Sequence, residues 1–186
     1  MIKFPTGKFN IIYADPPYKF GSSIYQDGGR KFNKSLNNYY PTLSLKQIKE
    51  LPVQNIADEN CILFCWTTDS HIPECLEIIN AWSFKFKTIG FVWVKKYKSG
   101  SYCYNFSPYT LKSTEICLIG LKGLLKNIKK SNNIKSLVFA ERTKHSKKPD
   151  CVRDRIVELC GDLPRIELFA RNKTKGWTVW GNEIND

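Results

Sequence analysis

A short apolar run, Phe9-Asn-Ile-Ile-Tyr-Ala14, stops abruptly at Asp15-Pro16-Pro17-Tyr18. Consecutive prolines supply no backbone donors, so a central strand cannot pass through them. A run that is apolar on both faces of its pleat reads as a strand buried between two layers. In open α/β sheets, ligand sites form beyond the carboxyl ends of such strands, and Asp15 falls at one.

The rest of the pattern alternates strands with helices. Ser44 and Gln47 have the spacing of a capping box for a short helix that Pro52 closes. Cys61 to Trp66 reads as a second buried strand. Ile72 to Trp82 has helical spacing, with Pro73 in the first turn and Ile72, Cys75, Leu76, Ile79 and Trp82 on one face. Thr88 to Lys95 and Glu115 to Leu121 are further strand candidates. Leu121, Leu124, Leu125 and Ile128 have the spacing of an amphipathic helix with a basic outer face. Pro149 to Cys160 reads as a helix with Val152, Ile156, Leu159 and Cys160 inward, ended by Gly161. Arg165 to Ala170 and Thr178 to Trp180 supply the last strands. The expected architecture is α/β: one Rossmann-like domain over 1–186, mainly parallel, with helices on both faces. Residues 19–40 lack periodicity, and a loop that long inside a compact domain is usually functional.

Composition narrows the chemistry. The longest apolar runs fall far short of the roughly 18 residues that span a bilayer. No basic and apolar leader precedes Phe9, so no membrane partner is expected and cytoplasmic localisation is the default. The seven cysteines are odd in number and none forms a C-x-x-C pair. Neither a metal cluster nor a disulfide framework is expected, and most read as small buried hydrophobes. A net charge of +12, weighted to the second half, attracts polyanions. Lys122, Lys126, Lys129, Lys130 and Lys135 fall in a stretch without an acid, and Lys19, Arg30, Lys31 and Lys34 lie in the first loop. The segments 19–40 and 122–135 are therefore the expected substrate-binding arms.

Asp15-Pro16-Pro17-Tyr18 suits one chemical problem, the activation of a nucleobase amino group. The lone pair of such an amine is delocalised into its ring. If the Asp15 carboxylate and the Pro16 carbonyl each accept one N–H, the nitrogen is drawn toward tetrahedral geometry and its lone pair is freed. Asp supplies the stronger, charge-assisted bond. Pro16 and Pro17 fix the direction of the backbone, and Tyr18 offers a stacking face for the base. The bland alternative is a strand-ending turn with a solvated Asp.

The chain resembles the MT-A70 family of S-adenosylmethionine-dependent adenine-N6 methyltransferases from about Asn10 to Glu183. The resemblance rests on Ala14-Asp-Pro-Pro-Tyr18, Tyr40-Pro-Thr-Leu-Ser44, Leu63-Phe-Cys-Trp66-Thr67 and Gly90-Phe-Val-Trp93-Val-Lys95. It continues through Ser113-Thr-Glu115-Ile-Cys-Leu-Ile-Gly120, His145-Ser-Lys-Lys148-Pro149-Asp150, Glu167-Leu-Phe-Ala-Arg171 and Trp180-Gly-Asn182-Glu183. It implies a permuted order, with the catalytic motif first and the cofactor motif last, Phe169-Ala170-Arg171 replacing a Gly-rich loop. It also implies that Asp15, Lys148, Phe169, Arg171, Asn182 and Glu183 hold the cofactor, and that Tyr18, Tyr40 and Glu115 meet the substrate. Lys122, Lys126, Lys129 and Lys130 would grip phosphates. His145 is expected to support the cofactor stretch without catalysing, and Asp69 is a further acidic candidate.

Two departures stand out. Tyr18 replaces the Trp usual in eukaryotic members, which favours DNA over RNA. Only fourteen residues precede Asp15, so a cofactor-holding upstream segment of longer members is expected to be missing. The leading expectation is adenine-N6 methylation of DNA. The alternatives are the same reaction on RNA, a non-catalytic nucleic-acid-binding subunit, or cytosine-N4 methylation, and a homodimer or partner subunit is possible.

Overall fold

The computed structural model describes residues 3–18, 42–107, 109–143 and 147–184. Its centre is a seven-stranded sheet of order β5-β3-β4-β2-β1-β6-β7. The strands are β1 (Phe9–Ala14), β2 (Ala57–Thr67), β3 (Lys85–Lys96), β4 (Thr114–Lys122), β5 (Leu137–Glu141), β6 (Arg165–Leu168) and β7 (Thr178–Trp180). Every strand runs in one direction except β4, which pairs antiparallel with both β2 and β3. The sheet is thus mixed and mostly parallel, with β1 paired on both sides near its middle, where both of its faces are covered.

Helices close the two faces. On one side lie α1 (Leu45–Lys49), α2 (Val53–Ile56) and α3 (Ile72–Ala81), whose Ile48, Val53, Cys75 and Ile78 pack on Ile12, Leu63 and Ile166. On the other lies α4 (Cys151–Cys160), whose Val152, Ile156 and Cys160 pack on Ile11, Phe64 and Trp93. Both halves of the α1 capping box form: Gln47 N–H donates to Ser44 Oγ, and Gln47 Oε1 accepts from the Ser44 N–H. Pro149 lies outside α4, whose N-cap is Asp150. Six of the seven cysteines are buried, and Cys151 is exposed.

Strand β5 has no counterpart in the sequence pattern, and two further details differ from it. On α3, Leu76 is solvent-facing at 36% exposure while Ile78 is fully buried, so the inward face is rotated from the one expected. The helix expected over Leu121 to Ile128 does not form. β4 runs through Lys122, Gly123 turns the chain at φ +72°, and only a short 3-10 turn, Leu125–Asn127, follows. A side chain at Gly123 would collide with the Glu59 carbonyl, 2.3 Å from the ideal Cβ position. Among the described residues, no helix is long and apolar enough to cross a membrane.

Candidate active site

Because β4 is reversed, its first residues lie at the carboxyl end of β2: Ile116 pairs with Thr67. That geometry delivers Glu115 to the end of β1, where Asp15 emerges. An open cleft forms there, with about 930 Å³ of empty space counting its mouth, lined by Asp15, Pro16, Pro17, Tyr18, Glu115 and Lys148. Phe169, Arg171, Asn182 and Glu183 line it as well. Residues far apart in sequence therefore meet at one strand end.

The charges at the cleft alternate. Lys148 Nζ lies 2.7 Å from Asp15 Oδ2 and 3.1 Å from Glu115 Oε2, and Lys95 Nζ lies 2.5 Å from Glu115 Oε1. The side chains of Lys95, Glu115 and Lys148 are all at most 10% exposed. Burial alone would push the Glu115 carboxyl up, but the ammonium groups of Lys148 and Lys95 outweigh it and hold it below the usual range. Burial likewise opposes the charge on Lys148, yet Asp15 and Glu115 raise its pKa above the ordinary lysine value. Lys148 also sits 5.6 Å over the Trp66 ring. Asp15 Oδ2 is engaged by this lysine, while no described residue hydrogen-bonds Oδ1.

The prolines shape the turn as expected for a strand stop. Tyr18 N–H donates to the Pro16 carbonyl at 2.9 Å, and Leu43 N–H to the Pro17 carbonyl at 3.0 Å. The Pro16 oxygen keeps a second lone pair for another donor. Tyr18 is buried, its hydroxyl donating to the Trp66 carbonyl at 3.2 Å and its ring lying 5.5 Å from His71. Burial pushes the Tyr18 phenol well above its ordinary pKa, so it stays a neutral donor.

The opposite wall comes from the chain after β6. Phe169 adopts a left-handed φ of 61°, rare for a bulky residue and typical of strained functional turns. Ala170 N–H donates to the Trp180 carbonyl at 2.9 Å, and a Cβ on Gly181 would lie 2.1 Å from the Ala170 carbonyl oxygen. Only glycine lets these two backbones approach so closely. The approach brings Arg171 Nε and Glu183 Oε1 to 3.8 Å.

Other sequence candidates are placed elsewhere. Lys122 pairs with Cys61 near the start of β2, and its Nζ donates to the Ala57 carbonyl. Lys130 is exposed beside the end of α4, its backbone N–H donating to the Leu159 carbonyl. With Lys126 and Lys129, these lysines lie at the opposite end of the sheet because β4 runs backward. The reading of 122–135 as an arm beside Asp15 is corrected on that ground. Asp69 pairs with Lys112 at 3.4 Å, one residue beyond cleft-lining Thr68. Tyr40, His145 and the basic residues of 19–40 lie outside the described residues. The pattern reading missed Lys95 and Gly181 as site-forming residues. Alternation could have found the first: Phe91, Trp93 and Lys95 are buried at every second position of β3, placing a charge on a core face.

A cleft beyond the carboxyl ends of a mostly parallel sheet, with charged groups converging from segments far apart along the chain, defines a ligand-binding α/β protein with an α/β methyltransferase-like sheet. The family model described as MT-A70 matches residues 9–183, and the chain belongs to that family. It is 36% identical to the Type II methyltransferase M.MunI of Mycoplasma sp, an alignment covering 99% of this chain and 81% of that protein. It is 30% identical to the human N(6)-adenine-specific methyltransferase METTL4, covering 95% of this chain and 37% of that protein. Identity to the N6-methyladenosine RNA methyltransferase MTA1 of Pyricularia oryzae is 24%, over 95% of this chain and 47% of that protein. The chain spans less than half the length of the last two.

Proposed function

We propose that this chain transfers a methyl group from S-adenosylmethionine to the N6 amine of adenine in DNA. The observation that carries the reading is Asp15. Its carboxylate lines the cleft at the end of β1, anchored through one oxygen by buried Lys148 and unengaged by described residues at the other. Asp15 Oδ1 and the second lone pair of the Pro16 carbonyl then each accept one N–H of the amine. These two bonds free the nitrogen lone pair for attack and orient it. The methylated nitrogen sheds its extra proton readily, so no strong general base is required.

The cofactor supplies a methyl group on a sulfonium. The residues present fit it: aromatic Phe169 and Trp180 line the cleft beside Arg171, Asn182 and Glu183. Arg171 suits a carboxylate, while Asn182 and Glu183 suit ribose hydroxyls. Lys148, already shared by two carboxylates, acts first to position Asp15 and only then as a cofactor contact. The cofactor segment follows the catalytic one along the chain, the permuted order.

Support for adenine comes from the name of METTL4, and support for DNA from Tyr18, which replaces the Trp usual in the family's eukaryotic members. The name of MTA1 favours RNA as the second reading. An intact Asp15-Pro16-Pro17-Tyr18 beside Lys148, Arg171 and Asn182 in the same cleft argues against a non-catalytic subunit. Mass spectrometry of nucleosides, after incubation of the protein and isotopically labelled cofactor with DNA and with RNA, tests the reading. Label in N6-methyladenine from DNA is expected. Label only from RNA would replace the substrate, and no label would overturn the enzyme.

A further inference from the structure

At the edge of the sheet farthest from β6, the chain exposes a cluster of aromatic rings on a braced platform. The connection from β3 to β4, residues 97–113, carries Tyr102 and Tyr104 at 47% and 54% exposure and Phe106 and Tyr109 at 85% and 94%. Beside it, Phe139 of edge strand β5 is 55% exposed. Lys96 Nζ lies 5.5 Å from the Tyr102 ring and 5.2 Å from the Phe139 ring, and the Tyr102 and Tyr104 rings are 6.5 Å apart.

The platform is built, not merely loose. Asn105 and Lys112 exchange two backbone hydrogen bonds, at 2.7 and 2.9 Å, and Cys103 N–H donates to the Lys95 carbonyl at 2.9 Å. Arg142 ties it to β5, with its Nη1 3.2 Å from Asn105 Oδ1. Both ends lie near the cleft: Lys95 pairs with cleft-lining Glu115, and Lys112 pairs with Asp69, next in sequence to cleft-lining Thr68. No acidic residue occurs anywhere from Ile78 to Thr114, whereas Lys96, Lys98 and Lys112 fall within or beside the connection. Glu141 stands exposed two residues from Phe139 on β5, in register with Lys96, but the connection itself carries no acid. Exposed aromatic rings interleaved with cations along such a connection match a polyanion whose bases have π-faces.

We infer that this platform, formed by Tyr102, Tyr104, Phe139 and Lys96, binds unpaired bases of the nucleic-acid strand that flanks the target adenine. The inference rests on the proposed nucleic-acid substrate and adds where the strand runs. Four strand spacings separate β1 from β5, roughly 19 Å. An unpaired strand is at least as extended as the roughly 3.4 Å per base of a duplex strand, so the flank that reaches the platform is at most about six bases long. The target base at Asp15 and the flank on the aromatic rings are thus two ends of one footprint.

The test uses single-stranded DNA carrying one adenine, with flanks of about one base or of more than about six bases. The wild-type protein should show a KM lower by about tenfold or more on the long strand, the scale of stacking one base on an aromatic ring. Tyr104→Ala should raise the KM on the long strand by about that factor with kcat and cofactor affinity held, and Tyr104→Phe should restore it. Tyr104→Ala should also keep the salt slope of binding, whereas Lys98→Ala should reduce it by about 0.7. Equal KM values on short and long strands, or an unchanged KM in Tyr104→Ala, would overturn the platform while leaving adenine methylation intact. A wild-type protein that methylates no DNA strand of either length would instead overturn the substrate reading. If sedimentation shows that Tyr104→Ala changes the oligomeric state and not KM, the face joins copies of the chain and the inference fails.

Discussion

The two ends of the sheet carry similar residues to opposite effect. At the carboxyl ends of β1, β2 and β6, two lysines and two carboxylates alternate within 3.1 Å of one another and are largely shut away from water. At the other end, the stretch Lys122 to Lys135 is denser in lysine, yet among the described residues no ion pair forms on Lys126, Lys129 or Lys130. Charge density along a sequence locates a field, whereas chemistry needs charges desolvated and aimed. Desolvated charges interact strongly and cost much when one partner is lost, while exposed ones are screened.

The sharpest way to break that contrast is Asp15→Ala. With no acceptor to aim the amine, turnover should fall by about 10² or more, the range for loss of a preorganised electrostatic group. Circular dichroism should show the fold intact, because Lys148 keeps Glu115 as a partner. Near-normal turnover would remove Asp15 from the mechanism. Asp15→Asn should also be poor, an amide being a weaker acceptor than a carboxylate.

Lys148→Met probes the same cluster through stability. It leaves the Asp15 and Glu115 carboxylates short of a partner, a loss of about 3 kcal/mol by the usual cost of breaking a buried pair. For a chain of this size that lowers Tm by roughly 6–12 °C. Cofactor affinity, measured by calorimetry, should weaken in Arg171→Ala by about 1–3 kcal/mol without any such loss of stability. Equal melting of Lys148→Met and wild type would mean that the buried network is no tighter than the exposed lysines.

The pH dependence has a sign fixed by the same groups. The Glu115 carboxyl is held low, so its stabilisation is present above its unfolded pKa of about 4.3 and is lost as pH falls through the lower folded value. The Lys148 ammonium is held high, so its stabilisation is present below about 10.4 and is lost as pH rises through the higher folded value. Denaturant melts should therefore show a wild-type loss of stability below about pH 4 that Glu115→Gln lacks. Parallel acid limbs in the two proteins would remove Glu115 from the network.

What the sequence makes legible follows from how local each cause is. The ends of β1, the α1 cap at Ser44 and Gln47 and the burial of most cysteines depend on neighbouring residues, and the structure agrees with each. The direction of β4 does not depend on its own residues. A reversed strand reads like a parallel one, yet its direction decides that Glu115 reaches Asp15 while Lys122 lies at the far end. The helix expected after β4 failed for a related reason. Leu124 and Leu125 have helical spacing with Ile128, but Gly123 takes a left-handed turn against Glu59 and Asn60 of β2, a tertiary constraint. Gly181 could be seen as a glycine, but not as the point where Ala170 would collide with any side chain.

The smallest expected effect belongs to the lysines at the far end. From Glu115 to Lys122, β4 covers roughly 24 Å at 3.4 Å per residue, which keeps Lys126, Lys129 and Lys130 away from a strand entering the cleft. Replacing those three with Ala should leave stability within about 0.5 kcal/mol of wild type, as for exposed residues without special contacts. They still add to the long-range field that steers a polyanion, so the association rate at low salt should fall modestly and recover when salt screens the field. The slope of log K against log salt should change by less than the roughly 0.7 lost when one true phosphate contact is removed from a single strand. A slope reduced by about 2 in the triple variant would mean that the strand reaches both ends of the sheet, and the contrast between them would then be one of burial alone.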